Sequence, residues 1–196
     1  MGKIAESDLK QLFSEARTFT SWQPKTVEDS ILHEIYEMMK WGPTSANSCP
    51  VRILFVKSQE GKEKLIPCLS PGNVEKVKAA PVTAIIAMDE EFYNQLPKLA
   101  PHNPAFKETF ASNAKLAKET AFRNSSLQGA YFIIATRAMG LDCGPMSGFN
   151  NQKLDEAFFS GTSLKSNFLC NIGYGNRDQL HPRAPRLSFD EACKIV

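Results

Sequence analysis

The 196-residue sequence has little of what marks a fibrous, low-complexity or disulfide-stapled chain. Its 11 glycines and 12 prolines are too few for a collagen-like or disordered protein. Five cysteines are present without a Cys-x-x-Cys pair, and the three histidines lack the spacing of metal ligands. Because 42% of the residues are hydrophobic, a core can form without such staples. We therefore expect one folded domain over residues 1–196, with neither disulfides nor a bound metal.

Long runs of like charge and long apolar runs are also missing. The 23 basic and 21 acidic residues nearly cancel, which argues against the extended basic surface of a nucleic-acid binder. The most apolar window, residues 79–88, is half as long as the roughly 20 residues that span a bilayer. The N-terminus, with Glu6 and Asp8, lacks the apolar stretch of a secretory signal. The sequence predicts a cytoplasmic protein with no nucleic-acid or membrane partner.

Hydrophobic periodicity predicts an α+β protein with more helices than strands. Apolar, β-rich runs predict strands at 51–57, 82–88 and 167–174. Helical spacing predicts helices at 7–17, 60–69, 73–80, 115–139 and 153–159. A further helix is predicted to begin at a capping box at 26–29 and to end at 42–43, and a second capping box is predicted at 188–191. The 115–139 helix would be about 37 Å long. That length favours a place in the centre of the fold or at a subunit interface.

Residues 89–113 combine prolines with the aromatic residues Tyr93, Phe106 and Phe110. Such a composition is typical of an irregular segment or a lid. The rings are too apolar to be left entirely in water. We therefore predict that this segment roofs a substrate pocket.

Three short motifs carry groups that bind ligands. Residues 43–50 crowd hydroxyl and amide side chains between two prolines, although an ordinary turn that satisfies its own backbone is the alternative. Arg17-Thr18, with Arg183 and Arg186 in the tail, offers forks and a hydroxyl that match a phosphate, unless each arginine is a solvated surface charge. Residues 144–148 predict a turn whose glycines let a flat ligand approach the backbone.

Neither a Rossmann Gly-x-Gly-x-x-Gly nor a P-loop occurs, so a nucleotide cofactor would have to bind in another way. Taken together and in this order, the motifs resemble those of the FMN-dependent nitroreductase family over nearly the whole chain. Residues 121–126 and 144–149 are especially similar to a small branch that includes the malonic semialdehyde reductases of pyrimidine catabolism. The choice of substrate depends on that branch alone.

The resemblance implies a nitroreductase-like fold, a central and mainly antiparallel sheet flanked by helices, with the long helix at the interface of a homodimer. It implies FMN as cofactor, NAD(P)H as hydride donor, and malonic semialdehyde, nitroaromatics or quinones as acceptors. The flavin performs the redox step, so no catalytic acid, base or nucleophile is expected among the side chains. Each flavin would lie between two subunits.

The resemblance also assigns roles to individual residues. Arg17, Thr18, Arg186 and, as an additional candidate, Arg183 would hold the phosphate, and the loop from Pro43 would meet the ribityl chain and the ring. Asn73 and Lys76 would face the pyrimidine edge, where Lys76 would stabilise charge on the reduced flavin. Their alternatives are a helix N-cap and a solvated lysine. The implied cofactor-binding set is Arg17, Thr18, Pro43, Thr44, Ser45, Asn47, Asn73, Lys76, Ser147, Gly148, Arg183 and Arg186, and the substrate-binding set is Tyr93, Phe106 and Phe110.

The sequence departs from the family pattern at three positions. Ala16 and Thr20 stand where further basic residues are usual, so neutralisation of a phosphate must depend on the tail arginines. Cys49 stands where glutamine is common. Two other functions stay open at this point: a flavin sensor or carrier without turnover, and a transferase that uses Cys49 as nucleophile.

Overall fold

The computed structural model describes residues 2–196. Its centre is a four-stranded antiparallel sheet in the order β1-β2-β4-β3. The strands are β1 (Val51–Val56), β2 (Val82–Asp89), β3 (Asp142–Met146) and β4 (Leu164–Gly173). Seven of the eight positions of β2 are buried, because helices cover both of its faces. The expected α+β fold with an antiparallel sheet is confirmed.

Nine α-helices surround this sheet in the described part of the chain. They are α1 (Glu6–Leu9), α2 (Asp29–Met39), α3 (Gln59–Leu65), α4 (Pro71–Ala79), α5 (Leu96–Leu99), α6 (Ala105–Ala111), α7 (Ala114–Ala138), α8 (Asn151–Phe158) and α9 (Phe189–Ala192). Side chains alternate across a strand, so Ile86 enters the core under α2 and α7 while Ile85 enters the core under α3, α4 and α8. The sheet is thus the middle of three layers.

Helix α7 is the long helix that the sequence predicts, and it packs on all four strands. Gly129 makes this close approach possible, since a Cβ there would lie 2.5 Å from the ring of Phe168 on β4. The buried face of α7 also carries polar residues, among them Asn124 and Gln128. Buried amides need partners, and those partners lie in the functional site.

The prediction of an irregular segment at 89–113 is wrong. A 3₁₀ turn (Phe92–Gln95), α5 and α6 fold this segment around a small core of their own. Phe92 and Phe110 meet edge to face with their centroids 5.0 Å apart. The prolines do not break these helices because Pro97 lies in the first turn of α5 and Pro104 at the N-cap of α6, where no helical N–H bond is lost.

Some element ends also differ from the predictions. The first helix begins at Glu6 with Ala5 as its N-cap and continues as a π-helical turn that ends at Ser14. The predicted capping box at 26–29 does not form, because the N-cap Glu28 makes no side-chain bond. Residues 144–146, expected in a turn, belong to β3, an edge strand that tolerates Pro145. The capping box at 188–191 is confirmed.

Candidate functional site

A cavity of about 570 Å³ lies between the end of the first helix, the end of α7 and the C-terminal tail. Arg17, Thr18, Arg183 and Arg186 all line it, so the structure brings the predicted phosphate residues together. Arg137 of α7 lines it as well. No carboxylate is among its lining residues. Four guanidinium groups without an acid make this a cavity suited to an anion.

Hydrogen bonds at this cavity join the segment after the first helix to the tail. Arg17 donates to the carbonyl of His181, and Arg183 donates to the carbonyl of Ala16 at 2.8 Å. Residues 17–19 are themselves fixed to the sheet, since Thr18 bridges to Cys143 and the N–H of Phe19 donates to the Cys143 carbonyl at 2.9 Å. Arg17 is therefore held at the cavity by a short extended segment beside β3, and Arg183 by its bond to Ala16.

A second polar cluster lies at the other end of β3. Lys76 Nζ donates to Asn73 Oδ1 at 3.0 Å, and Asn73 Nδ2 donates to the Gly148 carbonyl at 2.9 Å. Asn171 Nδ2 donates to the Lys76 carbonyl at 3.0 Å. A Cβ at Gly148 would lie 2.6 Å from Asn73 Nδ2, so this contact requires glycine. Asn73 is not a helix N-cap, because Ser70 occupies that position of α4.

The arginine cavity and the Asn73–Lys76 cluster are connected through β3. Cys143 lies beside Thr18, and five residues later Gly148 lies beside Asn73. At about 3.3 Å per residue the two ends are roughly 17 Å apart. That is the scale of a ligand with a phosphate at one end and a fused ring at the other.

The polar loop 44–50 has an unusual backbone. Ala46, Asn47 and Cys49 have positive φ values of 54°, 49° and 40°, which alanine and cysteine seldom adopt. The conformation is held from α7: Asn124 Oδ1 accepts from the N–H of Ser45 at 2.8 Å, and Gln128 Oε1 accepts from the N–H of Val51 at 3.0 Å. The loop is therefore more than a turn that satisfies its own backbone.

Sequence reasoning missed the roles of Asn124 and Gln128. Their spacing could have indicated these roles, because Asn124 and Gln128 are one helical turn apart and both lie on the buried face of α7. The motif 121–126 resembles the family's sequence, but the sequence alone does not show which groups these side chains bond to. Ser125 and Ser126 of the same motif accept bonds from Asn167 of β4 at 2.9 and 3.0 Å.

The structure does not bring the polar loop to the arginine cavity within one chain. Asn124 holds the loop, and Arg137 lines the cavity; they are 13 residues apart on α7. At 1.5 Å per residue this is about 20 Å. The two predicted halves of the flavin site thus lie along opposite parts of the same helix.

The three predicted substrate residues are not equivalent. Tyr93 and Phe106 are half-buried at the edge of the 89–113 segment. Phe110 is only 7% exposed and packs against Phe92. Phe110 therefore supports the segment from within, which corrects its expected place in the roof.

The cysteines differ in their surroundings. Cys49 is half-buried, and its Sγ donates to Asn47 Oδ1 at 3.4 Å. Cys143 and Cys170 are buried between β3, β4 and α7, and a hydrogen bond with Cys143, together with burial, raises the pKa of Cys170 well above its ordinary value. These two thiols are packing groups.

Within residues 2–196, no group of three or more His, Cys, Asp or Glu residues is placed to hold a metal ion. None of the helices in this range has the length and apolar character of a membrane span.

The fold and the two clusters along β3 define an α+β protein with an anion cavity joined to a glycine-lined polar recess. Residues 7–174 match the Nitroreductase family. A protein of Cupriavidus pinatubonensis with the provisional name NADH dehydrogenase/NAD(P)H nitroreductase is 56% identical over 190 residues, which are 96% of this chain and 97% of that protein. The chain belongs to the nitroreductase family.

Solved structures show the same fold. A provisional nitroreductase of Exiguobacterium sibiricum, in complex with FMN, has a TM-score of 0.86 at 20% identity, with all of both chains covered. The provisional nitroreductase YdfN of Bacillus subtilis has a TM-score of 0.85 at 19% identity, covering 98% of this chain and all of that one. The family and the fold expected from the sequence are thereby confirmed.

Proposed function

We propose that the protein is an FMN-dependent NAD(P)H oxidoreductase. The observation that carries this proposal is the cavity lined by four arginines and no carboxylate. A phosphate dianion would match these donors, whereas a neutral ligand would leave their charges uncompensated. The complex of the Exiguobacterium relative with FMN and the NAD(P)H in the name of the Cupriavidus relative support the choice of cofactor and hydride donor.

The residues present fit FMN at both ends of β3. Arg17, Thr18, Arg183 and Arg186 would hold the phosphate. The bare backbone of Gly148, next to Ser147, packs directly against Asn73, where any Cβ would clash. This contact would hold Asn73 and Lys76 at the edge of a flavin ring. When bound, FMN supplies the redox chemistry by taking a hydride from NAD(P)H and passing electrons to an acceptor.

Lys76 has the clearest electrostatic role in this proposal. Lys76 is half-buried and its ammonium is oriented by Asn73, so it would hold a fixed positive charge at the pyrimidine edge of the ring. Such a charge stabilises the negative charge that reduction brings. The chain therefore contributes position and electrostatics, and no side chain has to exchange a proton for this role.

The working unit would be a homodimer. Thr44, Ser45 and Asn47 lie about 20 Å along α7 from the arginine cavity, so a second copy would have to bring its loop to the first copy's cavity. Helix α7 exposes four large apolar side chains that a partner can cover: Leu116, Phe122, Leu127 and Tyr131. The tail 181–196 is exposed along its whole length and carries Leu187 and Phe189 outward.

The acceptor we propose is malonic semialdehyde, with nitroaromatics and quinones as opportunistic acceptors. Support comes from the similarity of residues 121–126 and 144–149 to the malonic semialdehyde reductases. Tyr93 and Phe106 would roof the flavin, with Phe110 supporting them from below. Flat acceptors would stack on the flavin ring with few specific contacts.

Purified protein tests the proposal directly. We expect bound FMN, bleaching of its absorbance on addition of NADPH or NADH, and reoxidation by malonic semialdehyde with formation of 3-hydroxypropionate. Bound flavin that neither donor bleaches would indicate a flavin carrier instead. Reoxidation by a nitroaromatic but not by malonic semialdehyde would retain the oxidoreductase and reject the acceptor.

A further inference from the structure

We propose that Arg137 is a direct ligand of the phosphate and makes the site select FMN over unphosphorylated riboflavin. The inference rests on the proposed function, since it concerns the same cavity. Arg137 belongs to α7 and lies outside every motif that resembles the family's flavin site. Its assignment comes from its place in the structure.

The guanidinium of Arg137 has an unmade hydrogen bond. Its Nη1 donates to the carbonyl of Leu12 at 2.8 Å, which fixes the side chain against the first helix. Its Nε is buried and has no hydrogen-bond partner. A buried donor on a charged group is expensive to leave unpaired. The hydrogen-bonding capacity of this guanidinium is therefore only partly used, and the same side chain lines the cavity.

The arginines of the cavity are also not paired with carboxylates at contact distance. Arg17, Arg137, Arg183 and Arg186 line the same cavity, and none of the four forms an ion pair within residues 2–196. Like charges collected in a partly desolvated space repel one another. A phosphate monoester carries the double negative charge that relieves this repulsion, and riboflavin does not.

Arg137 differs from the other three arginines in its support. Arg183 and Arg186 are on the exposed tail, and Arg17 follows the first helix. Arg137 is in the last turn of a 25-residue helix packed across the sheet. A donor on a rigid element loses less conformational entropy when it binds a ligand. We therefore infer that Arg137 sets the position of the phosphate and that the tail arginines close over it.

A different role for Arg137 has different consequences. A cation near the C-terminus of a helix stabilises the helix dipole, and the bond to Leu12 ties two helices together. In that case a substitution would lower stability and weaken the binding of FMN and riboflavin equally. The ratio of the two affinities separates the two roles.

The experiment measures the Kd of FMN and of riboflavin by quenching of flavin fluorescence, with protein freed of bound flavin. Arg137→Met keeps the length of the side chain and removes its charge. We expect at least a tenfold weaker Kd for FMN and a change within twofold for riboflavin. Arg137→Lys, which keeps the charge but not the fork, is expected to weaken FMN at least threefold and to fold even if the Met variant does not. Arg177→Met is the control, because Arg177 is outside this cavity and faces the ring of Phe19.

Equal losses for both flavins, or an unchanged Kd for FMN in both variants, would overturn the assignment while leaving the proposed function intact. Wild-type protein that binds riboflavin as tightly as FMN would overturn the phosphate site as a whole.

Discussion

The arginine cavity and the polar loop 44–50 lie along the same helix but are built in opposite ways. Three of the cavity's four arginines lie outside regular helices and strands, and two of them, Arg17 and Arg183, form hydrogen bonds between distant segments. The loop is held in a strained conformation by two buried amides of α7. The cavity therefore offers charge on a partly adjustable frame, and the loop offers a preorganised backbone with little charge. Substitutions in the two regions should therefore have different effects on FMN binding and on stability.

The largest effect is expected from Arg186→Ala. A hydrogen bond to a charged group contributes about 1.5–3 kcal/mol, so loss of Arg186 from the tail should weaken FMN binding at least tenfold. The loss should shrink as salt is added, because charge dominates this region. Titration with FMN at low and high salt measures both effects. Lys194→Ala, a change of an exposed tail cation outside the cavity, should leave affinity unchanged; an equal loss there would point to general attraction instead of a site.

Asn124→Ala tests the other region. It leaves the N–H of Ser45 without its partner, and a hydrogen bond of this kind contributes about 0.5–1.5 kcal/mol to stability. We expect lower stability in urea and weaker FMN binding that salt does not restore. Thr136→Val is the matched control, because Thr136 is buried on the same helix and its hydroxyl donates to the carbonyl of Phe132 within that helix. If both variants weakened FMN binding to the same extent, the loop would have no specific role in binding.

Lys76→Met should change redox chemistry more than binding. Loss of the charge is expected to lower the flavin's midpoint potential by tens of millivolts, since about 1.4 kcal/mol corresponds to 30 mV for two electrons. Potentiometry on the holoprotein measures it. Lys78→Met is the control, because Lys78 is exposed and pairs with Glu75. If the midpoint potential of the variant equals that of the wild type, Lys76 is a solvated lysine without this electrostatic role.

Phe106→Ala should change the choice of acceptor. An aromatic contact is worth about 0.5–1.5 kcal/mol, so the ratio of kcat/KM for malonic semialdehyde to that for a nitroaromatic or a quinone should shift by several-fold. Phe110→Ala, which empties part of the segment's own core, should mainly lower stability. An unaltered ratio in Phe106→Ala would show that the segment does not shape the pocket.

The smallest effect is expected at the end of the tail. The backbone N–H and the hydroxyl of Ser188 lower the pKa of Glu191 below its ordinary value of 4.5. A lowered pKa in the folded state stabilises α9 above the unfolded pKa, and this contribution is lost as the pH falls through the folded value. NMR shifts of the α9 amides should therefore change below about pH 4.5. Glu191→Gln should remove that pH dependence and leave FMN affinity unaltered.

Much of the fold could be predicted from the sequence because local patterns determine it. A buried apolar run predicts β2 within one residue, and the small residues of α7 predict a long, closely packed helix. The sequence pattern led to the wrong prediction at residues 89–113, where the prolines indicated an irregular segment. A proline is compatible with a helix when it lies in the first turn, and only the structure shows that Pro97 and Pro104 do so.

The amino-acid sequence supplies the chemical groups: arginines for a phosphate, a glycine for a close approach, and a polar loop. Which of these groups meet depends on how the chain folds. Arg17 and Arg183 are 166 positions apart and line one cavity, while the loop and that cavity are separated by about 20 Å of α7. Periodicity encodes the neighbours of a residue on its own helix or strand. Contacts between distant segments depend on how sheet, helix and tail pack, and that packing also places Arg137 in the cavity.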